Sequence, residues 1–567
     1  MAEFDLRDKN TLPAKDYFLK RKTALQLERQ SFIPHWRELS EFIRPRKGRF
    51  FTQDRNKGDK RYQSIINSKA TWSLRVAVAG MLAGTMSPTR PWFNFETYDP
   101  ELMERPDVKM WLYKVEQIIR QIFNDSNLYG QASSFISELL LFGTGAISHV
   151  DYFDTVARFF THTAGSYYIG QDDNYNVDTF CREIELSVKQ IVQWFGLENC
   201  SEAVKDAYDK GNYEAWYPVV QLIEPNNLYD PNKKWSINKK FRSVYYEPGL
   251  EGKALDNEKL LSVKGFDEFP VHTTRWDVTG EDVYGTDCPA MGALGDIKAL
   301  QIEEKRKAQA IDKMINPVLT GPAAFRNVPI TNLPGGVVLA DITDGQGLTP
   351  VHKVDPRLTE LREDMNSIEK RIEQAFFVDL FLAISTMEGI QPRNQLDLIQ
   401  RNEERLLQLG PVLERFHGEF LDPLMDRTFN QAVRASILPP PPDDLSGQEL
   451  KVRYISTLAM AQRAVATQSI DRVGAFVGTL VSYGFENVLE KFDAEQAVDE
   501  YAKAVGVPPS VIVPDEVLQE RRAAQAERQQ LAEANELANQ AADTAKKLGD
   551  TNTQDKNALT DLVGDNE

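Results

Sequence analysis

The chain is poor in the residues that usually carry chemistry. Its 567 residues include three cysteines and six histidines. Cys181, Cys200 and Cys288 lie far apart with no Cys-x-x-Cys spacing, so they read as reduced, small packing residues rather than a redox or zinc pair. His35, His149, His162, His272, His352 and His417 never fall at His-x-x-x-His or His-x-His spacing, which removes a local metal-ligating pair. His149 and His162 flank a predicted strand pair and could meet in space. No Gly-x-x-x-x-Gly-Lys-Ser/Thr loop is present, so this chain carries no signature of an ATP-driven motor. Gly143-Thr-Gly145 lacks the third glycine of a dinucleotide loop and follows a helix, so it reads as a helix end turning into a strand.

Long apolar runs are missing too. None reaches the roughly 18 residues of a membrane span. The nearest, residues 76–86, contains Gly80-x-x-x-Gly84 and reads as tight helix packing in a soluble core. The start, Met1-Ala-Glu-Phe-Asp-Leu-Arg-Asp, is charged where a signal peptide needs an apolar core. These features place the chain in the cytosol or on a particle. Basic residues are outnumbered, 66 Lys and Arg against 84 Asp and Glu, for a net charge of −18. That argues against generic gripping of nucleic acid; it does not argue against a protein that surrounds DNA without holding it.

What the chain does have is two long amphipathic helical patterns bracketing a Pro/Gly-punctuated insert. The first opens at Asp287, read as an N-cap, with Pro289 in its first turn. It carries Met291, Leu294, Ile297, Leu300, Ile311, Met314 and Ile315 with the block Glu303-Glu304-Lys305-Arg306-Lys307 between, and stops at Asn316-Pro317. The second sets Leu358, Leu361, Met365, Ile368 and Ile372 three and four apart, a seam that wants a neighbouring helix. Between them, Pro322, Pro329, Pro334, Gly335, Gly336, Gly345, Gly347 and Pro350 punctuate short strand-like runs at 337–339 and 351–354. Two rods carrying a β-rich tip make an assembly shape rather than a catalytic one.

The rest divides by pattern. Helices are expected over residues 14–43, 68–86, 107–123 and 131–142. Strands follow at 147–153, 155–161, 167–170 and 177–186, the last two separated by an Asp172-to-Asn176 turn. Ser187-x-x-Gln190 is a capping box whose helix closes at Gly196. Strand-like pieces at 219–223 and 242–246 complete a mixed α+β body to about residue 285. After the rods, a loop over 379–394 leads to a long helix, 395–436, kinked at Pro411 and Pro423. Pro439 to Pro442 is a stiff spacer. Residues 437–547 read as α-helical, and 548–567 as a disordered tail.

Candidate contact sites are few. The connector over residues 44–61, with Arg44, Arg46, Lys47 and Arg49, is basic in an acidic chain. It reads either as a contact for phosphates or an acidic neighbour, or as a solvated loop. The loop carrying Met387, Glu388, Gln391, Arg393 and Asn394 is longer than a plain helix connection and reads as functional. Glu360, Glu363, Asp364, Glu369 and Glu373, interleaved with Arg357, Arg362, Lys370 and Arg371, read as a solvated or intersubunit ion-paired face rather than a nuclease pair.

Several stretches together carry a family resemblance. They are Ala77-Val-Ala-Gly-Met-Leu-Ala-Gly-Thr-Met-Ser-Pro-Thr-Arg-Pro-Trp-Phe93, Leu141-Phe-Gly-Thr-Gly145, Asn176-Val-Asp-Thr-Phe-Cys-Arg182, and Tyr284-Gly-Thr leading into Asp296-Ile-Lys-Ala-Leu300. Further on come Gln374-Ala-Phe-Phe-Val-Asp-Leu-Phe381, Leu409-Gly-Pro-Val-Leu-Glu-Arg415, Glu419-Phe-Leu-Asp-Pro-Leu-Met-Asp-Arg427 and Val452-Arg-Tyr-Ile-Ser-Thr-Leu-Ala-Met-Ala-Gln462. In order and spacing they resemble the head-to-tail connector, or portal, proteins of short-tailed, T7-like bacteriophages. Where that family often has Thr-Ala-x-Glu-Val opening the long helix, this chain has Arg393-Asn-Gln-Leu-Asp-Leu-Ile399.

The resemblance implies an α+β, mainly α portal fold assembled as a ring, usually of twelve copies, at one capsid vertex. It implies a wing over 1–285, stem helices over 286–316 and 357–378, a clip over 317–356, a tunnel loop over 379–394, a long kinked wing helix over 395–436 and a crown over 437–547. It implies as partners the terminase large subunit, scaffolding and major capsid proteins, a tail adaptor, and double-stranded DNA in the channel. Met387, Glu388, Gln391, Arg393 and Asn394 would face DNA, with Lys305, Arg306 and Lys307 as stem charges. No cofactor or catalytic residue is implied, and the location is the virion after assembly in the host cytoplasm. The competing readings are a scaffold or tail adaptor without a channel, and a metal-dependent phosphodiesterase.

Overall fold

The computed structural model describes residues 13–50, 61–232, 238–249, 260–321, 349–350, 358–386, 403–445 and 450–455, with isolated positions and short runs elsewhere. The fold is mixed α+β and mainly helical. It divides into two compact units. The larger comprises Met1–Glu96, Lys114–Pro440 and Lys451–Phe476; the smaller comprises Thr97–Tyr113, Pro441–Leu450 and Val477–Glu567.

Local chemistry sets where the first helices begin and end. Helices α1 (Lys15–Gln30) and α2 (Ile33–Ile43) replace the single helix expected over 14–43. Pro34 in the first turn of α2 has no N–H to donate backwards, so the helix ends and restarts. Helix α3 (Lys69–Thr85) is followed by β1 (Phe93–Thr97), α4 (Pro100–Glu104), α5 (Pro106–Asp125) and α6 (Leu128–Phe142). Helix α6 stops at Gly143, whose φ of +76° is left-handed and suits glycine. Thr144 opens a strand at once, as expected for Gly143-Thr-Gly145.

A three-stranded antiparallel sheet follows, ordered β3–β2–β9, from β2 (Thr144–Tyr152), β3 (Val156–His162) and β9 (Val271–Arg275). Its edge strand is protected from α6 and the residue before it. Asn127 accepts from Phe159 N at 2.9 Å and donates to Phe159 O at 2.8 Å, and Gln131 Oε1 accepts from Thr161 N at 2.9 Å. Such caps remove backbone groups that would otherwise pair with another chain.

The second sheet runs β4–β5–β6–β7–β8 and is antiparallel throughout. Its strands are β4 (Tyr167–Gln171), β5 (Val177–Ser187), β6 (Trp216–Pro225), β7 (Phe241–Tyr246) and β8 (Ser262–Phe266). Asp172 Oδ1 closes the β4–β5 turn by accepting from Asn174 N at 2.9 Å and Asn176 N at 2.8 Å. The capping box on Ser187 and Gln190 opens α7 (Val188–Phe195), and α8 (Glu202–Asp209) follows. Helix α1 covers one face of this sheet: Phe18 and Leu25 are buried with Tyr168, Cys181, Val220, Leu222 and Val244. All three cysteines are free and buried. Burial pushes the thiols of Cys181 and Cys288 up to about 12, which suits packing rather than reactivity.

Helix α9 (Pro289–Ile315) and helix α10 (Leu358–Ala375) are the two rods, and α11 (Val378–Thr386) follows α10. The N-cap of α9 is Cys288, not Asp287, whose carboxylate instead accepts from Cys288 N at 2.7 Å. The insert's ends are joined by the two-residue strands β10 (Leu319–Thr320) and β11 (Thr349–Pro350). The expected runs at 337–339 and 351–354 lie outside the described residues.

Farther along, α12 (Glu403–Phe416) carries Pro411, and α13 (Asp422–Arg434) begins beside Pro423. Between them lies a π turn over His417–Leu421 in which Asp422 N bonds five residues back, to His417 O. Pro423 cannot donate to the carbonyl four residues earlier, and the ladder slips by one residue there. Residues 437–547 are not wholly helical: β12 (Leu450–Tyr454) is a strand that pairs with β1. In the smaller unit, Asp99 caps α4 through Glu101 N at 2.9 Å, and Arg105 bridges Asp107 and Asp444. Within that expected helical stretch, residues 456–472 lie outside the described residues, as does the tail at 548–567.

Candidate functional site

The helix pair is built into the body at one end by a polar clasp. Ile66 N and Asn67 N both donate to Gln301 Oε1, at 2.7 and 2.8 Å, and Gln301 Nε2 returns a bond to Asn67 O at 2.9 Å. The Asn67 side chain donates to Glu304 on α9 at 3.3 Å and to Glu369 on α10 at 3.1 Å, so one residue bridges both rods. Lys69 pairs with Glu373 and reaches Glu369 at 3.7 Å. Arg371 joins α10 to Asp296 of α9 at 2.9 Å, and Lys298 pairs with Glu38 on α2. Gln301 is buried, so its loss would strand two backbone donors. Glu369, Glu373 and Arg371 therefore work inside their own chain rather than on the solvated or intersubunit face expected of them.

Beneath the polar clasp is an apolar seam. Ala290, Ala293, Leu294, Ile297 and Leu300 of α9 are buried, as are Met365, Ile368 and Ile372 of α10, the positions whose spacing marked the second rod. One like-charge contact crosses the seam: burial first, then Asp364 beside it, pushes the Glu303 carboxyl up.

Beyond Gln301 the surroundings change. Ile302, Ile311, Met314 and Ile315 are exposed, and Val318 beyond the helix is 77% exposed. Ile311, Met314 and Ile315 lie three and four apart and share one exposed apolar face of the helix, with Val318 exposed just past its end. Lys305 and Arg306 are exposed here, and Lys307 pairs with Glu304 at 3.4 Å.

The basic connector meets an acidic neighbour within its own chain. Lys47 Nζ lies 3.0 Å from Glu138, a carboxylate with no exposed surface that also accepts from Thr163 and Ala164 N, each at 3.0 Å. Arg44 donates to Ser137 at 3.0 Å, and Arg49 N donates to Ala164 O at 2.7 Å. The segment 44–50 is thus neither a solvated loop nor, at Arg44 and Lys47, a phosphate contact; Arg46 and Arg49 are exposed. Sequence reasoning missed Glu138 because nothing in a helix of apolar residues marks one carboxylate as a tie point.

His149 does not meet His162. His149 Nδ1 lies 3.1 Å from His272 Nε2, whereas His162 bonds Ser148 at 2.7 Å. Burial holds all three imidazoles below their usual range, His272 down to about 3. Among the described residues, no group of three or more His, Cys, Asp or Glu is placed to hold a metal ion, and no helix is long and apolar enough to cross a membrane. Met387, Glu388, Gln391, Arg393 and Asn394 lie outside the described residues; α11 ends just before them, at Thr386.

The stretches that carried the family resemblance touch one another. A Cβ on Gly80 would meet Phe381 Cβ at 2.3 Å, and a Cβ on Gly285 would meet Gly143 O at 2.0 Å. Tyr284 accepts from Ile169 N at 3.0 Å, and Gly285 N donates to Thr144 Oγ1 at 2.8 Å. Glu419, placed by the π turn, accepts from Arg275 N at 2.8 Å and from its guanidinium at 2.7 Å. Tyr454 bonds Asp422, and His417 stacks on Tyr454 at 4.6 Å. These spaced fragments are one set of tertiary joints.

The α+β body thus carries a clasped helix pair whose far end exposes apolar residues. Comparison with known proteins places this arrangement in a family. The family described as bacteriophage head to tail connecting protein matches residues 15–513. The chain is 42% identical over 552 residues to the portal protein of Salmonella phage epsilon15, covering 97% of this chain and 98% of that one. It is likewise 42% identical over 547 residues to the probable portal protein of Bordetella phage BPP-1, covering 96% and 97%. The chain belongs to the bacteriophage head-to-tail connecting protein family. Among solved structures, a chain of the virion of a native gene transfer agent particle aligns over 72% of this chain and 90% of its own, at 11% identity and a TM-score of 0.34. A chain from the neck of an empty particle of that kind aligns over 82% and 98%, at 11% identity and a TM-score of 0.38. Both are too remote to carry an argument.

Proposed function

We propose that this portal protein forms a ring-shaped channel at one capsid vertex, with about twelve copies as in the family it resembles. Its end-to-end likeness to portal proteins carries the reading, and the exposed apolar side chains of Ile311, Met314 and Ile315, with Val318 beyond them, support it physically. About 25 cal/mol per Å² of apolar surface favours covering such a face with a neighbouring copy. In this reading, 1–285 is the wing, α9 and α10 are the stem, 317–356 is the clip, 379–394 is the tunnel segment, whose first half is not a loop but helix α11 to Thr386, 395–436 is the long wing helix and 437–547 is the crown. The clip meets the terminase large subunit during packaging and the tail adaptor afterwards, while scaffolding and major capsid proteins surround the wing. The protein resides in the virion, after assembly in the host cytoplasm.

The channel works by repulsion. An acidic ring keeps phosphates from settling, so duplex slides without sequence-dependent friction. Lys305, Arg306 and the loop residues Met387, Glu388, Gln391, Arg393 and Asn394 guide it, and the separate motor supplies the energy. Negative-stain images of purified protein should show rings with a central hole; uniform monomers would overturn the reading, and closed particles without a hole would favour a scaffold or adaptor. Purified rings should bind free duplex weakly, and tight binding that salt does not relieve would overturn the repulsion mechanism.

A further inference from the structure

Helix α13 is joined to the three-stranded sheet through a buried chain of hydrogen bonds. His149 sits on β2, His272 on β9 and Gln431 on α13. His149 Nε2 lies 2.6 Å from Gln431 Oε1, and His149 Nδ1 lies 3.1 Å from His272 Nε2. An amide oxygen only accepts, so His149 carries its hydrogen on Nε2, leaving Nδ1 as the acceptor for His272 Nε2–H. Both rings are neutral in this arrangement, and the donors and acceptors interlock in one direction. The Gln431 amide passes the chain on to Asp151.

The surroundings penalise an added proton. His149 is fully buried, His272 is 3% exposed, and their rings lie against Phe159 at 4.5 Å and Phe420 at 6.1 Å respectively. The charged groups facing the pair are arginines. Arg427 Nε donates to His149 O at 3.0 Å, and Arg434 stands on the same helix. The carboxylates in reach are already engaged: Asp151 lies 3.8 Å from Arg427 and 3.7 Å from Arg434, and Glu268 lies 3.5 Å from Arg427. A first added proton on His272 Nδ1 leaves the hydrogen bonds in place but puts an imidazolium in a site shut off from solvent, near the Arg427 guanidinium. A second would set two imidazoliums N–H to N–H beside a guanidinium, sealed from water. Such a charge is far more costly there than in solvent.

We propose that the His149–His272–Gln431 chain is an acid-released latch, which pins α13 to the β3–β2–β9 sheet at neutral pH and frees the helix in mild acid. Once open, both imidazoles titrate near their ordinary value of about 6.5. Below it, each pH unit favours the open form about tenfold per histidine, or about a hundredfold for two. The latch is a property of the chain and does not rest on the portal reading.

Hydrogen exchange of the full chain, followed by mass spectrometry and corrected for intrinsic rates, reads this directly. Between pH 7.5 and 5.5 the opening of α13 should rise at least thirtyfold, while α3 amides change less than threefold. The double substitution His149→Gln with His272→Gln keeps donors and acceptors but cannot titrate, and should flatten the response to under threefold. Gln431→Glu places a carboxylate at His149 Nε2, where it can hold an imidazolium, and should cut the response at least fivefold even where the double variant folds poorly. Opening of wild-type α13 that does not move with pH, or an unchanged response in Gln431→Glu, would overturn the latch.

Discussion

The two halves of α9 share one unbroken helix and live in opposite surroundings. From Pro289 to Gln301 the inward residues are buried against the body and α10; from Ile302 to Ile315 the large apolar residues stand in solvent. A helix held by its own backbone alone is marginal in water, so the root is stable through packing and the clasp on Asn67 and Gln301. The tip has the same helical spacing, but its large apolar residues are exposed among the described residues. The difference shows that periodicity makes the helix, while burial depends on what the rest of the fold brings to it.

That contrast can be broken or sharpened by substitution. The largest effect is expected at the tip: Ile311→Asp with Ile315→Asp should abolish rings in analytical ultracentrifugation. Because both sites are exposed in the single chain, the unassembled variant should keep the circular dichroism of wild type, showing that it still folds. Persisting rings would mean this face is not the contact. At the root, Ile297→Ala should cost ~2–5 kcal/mol in urea unfolding, and a loss below about 1 kcal/mol would show the root is not a true core. Gln301→Ala should cost ~1–3 kcal/mol by leaving Ile66 N and Asn67 N without an acceptor. A cycle with Asn67→Ala should show the two are coupled rather than additive.

The smallest effect belongs to Glu303, where the two halves meet. Its carboxyl is raised by burial and by Asp364, so the folded chain holds that proton more tightly than the unfolded one. Stability is therefore lost as pH climbs through the carboxylate range, and the cost persists above it. Glu303→Gln should remove that dependence, gaining less than about 1 kcal/mol at neutral pH and nothing in acid. Melting curves at pH 4 and pH 7 would show it, and a gain of equal size at both would assign the effect to packing instead.

Much of the framework was legible from pattern. The Ser187–Gln190 box, the Gly143 stop, the Asp172 turn, both rods and the Gly80-x-x-x-Gly84 crossing all rest on contacts within a few residues, or on one residue type that alone fits. Other features were open to better reading: Pro34 marked the break between α1 and α2, and Pro423 the π turn. Strand β12 was missed because Leu450-Lys-Val-Arg-Tyr454 alternates too briefly to stand out beside helical neighbours; only its partner β1 gives it a reason to be extended. The clasp, the Lys47–Glu138 tie and the His149–His272 pair were invisible. Their partners lie 234, 91 and 123 residues apart, and no local spacing connects them.

By itself the sequence determined most of the helices and strands, the lack of a nucleotide loop and, through ordered fragments, the family. Those properties come from short-range sterics, capping chemistry and the alternation of apolar residues. Only the tertiary structure decided which charges are spent inside the chain, which histidines face each other and which end of α9 stands bare. Those depend on long-range packing, where burial sets the worth of each polar group and no single segment contains the answer.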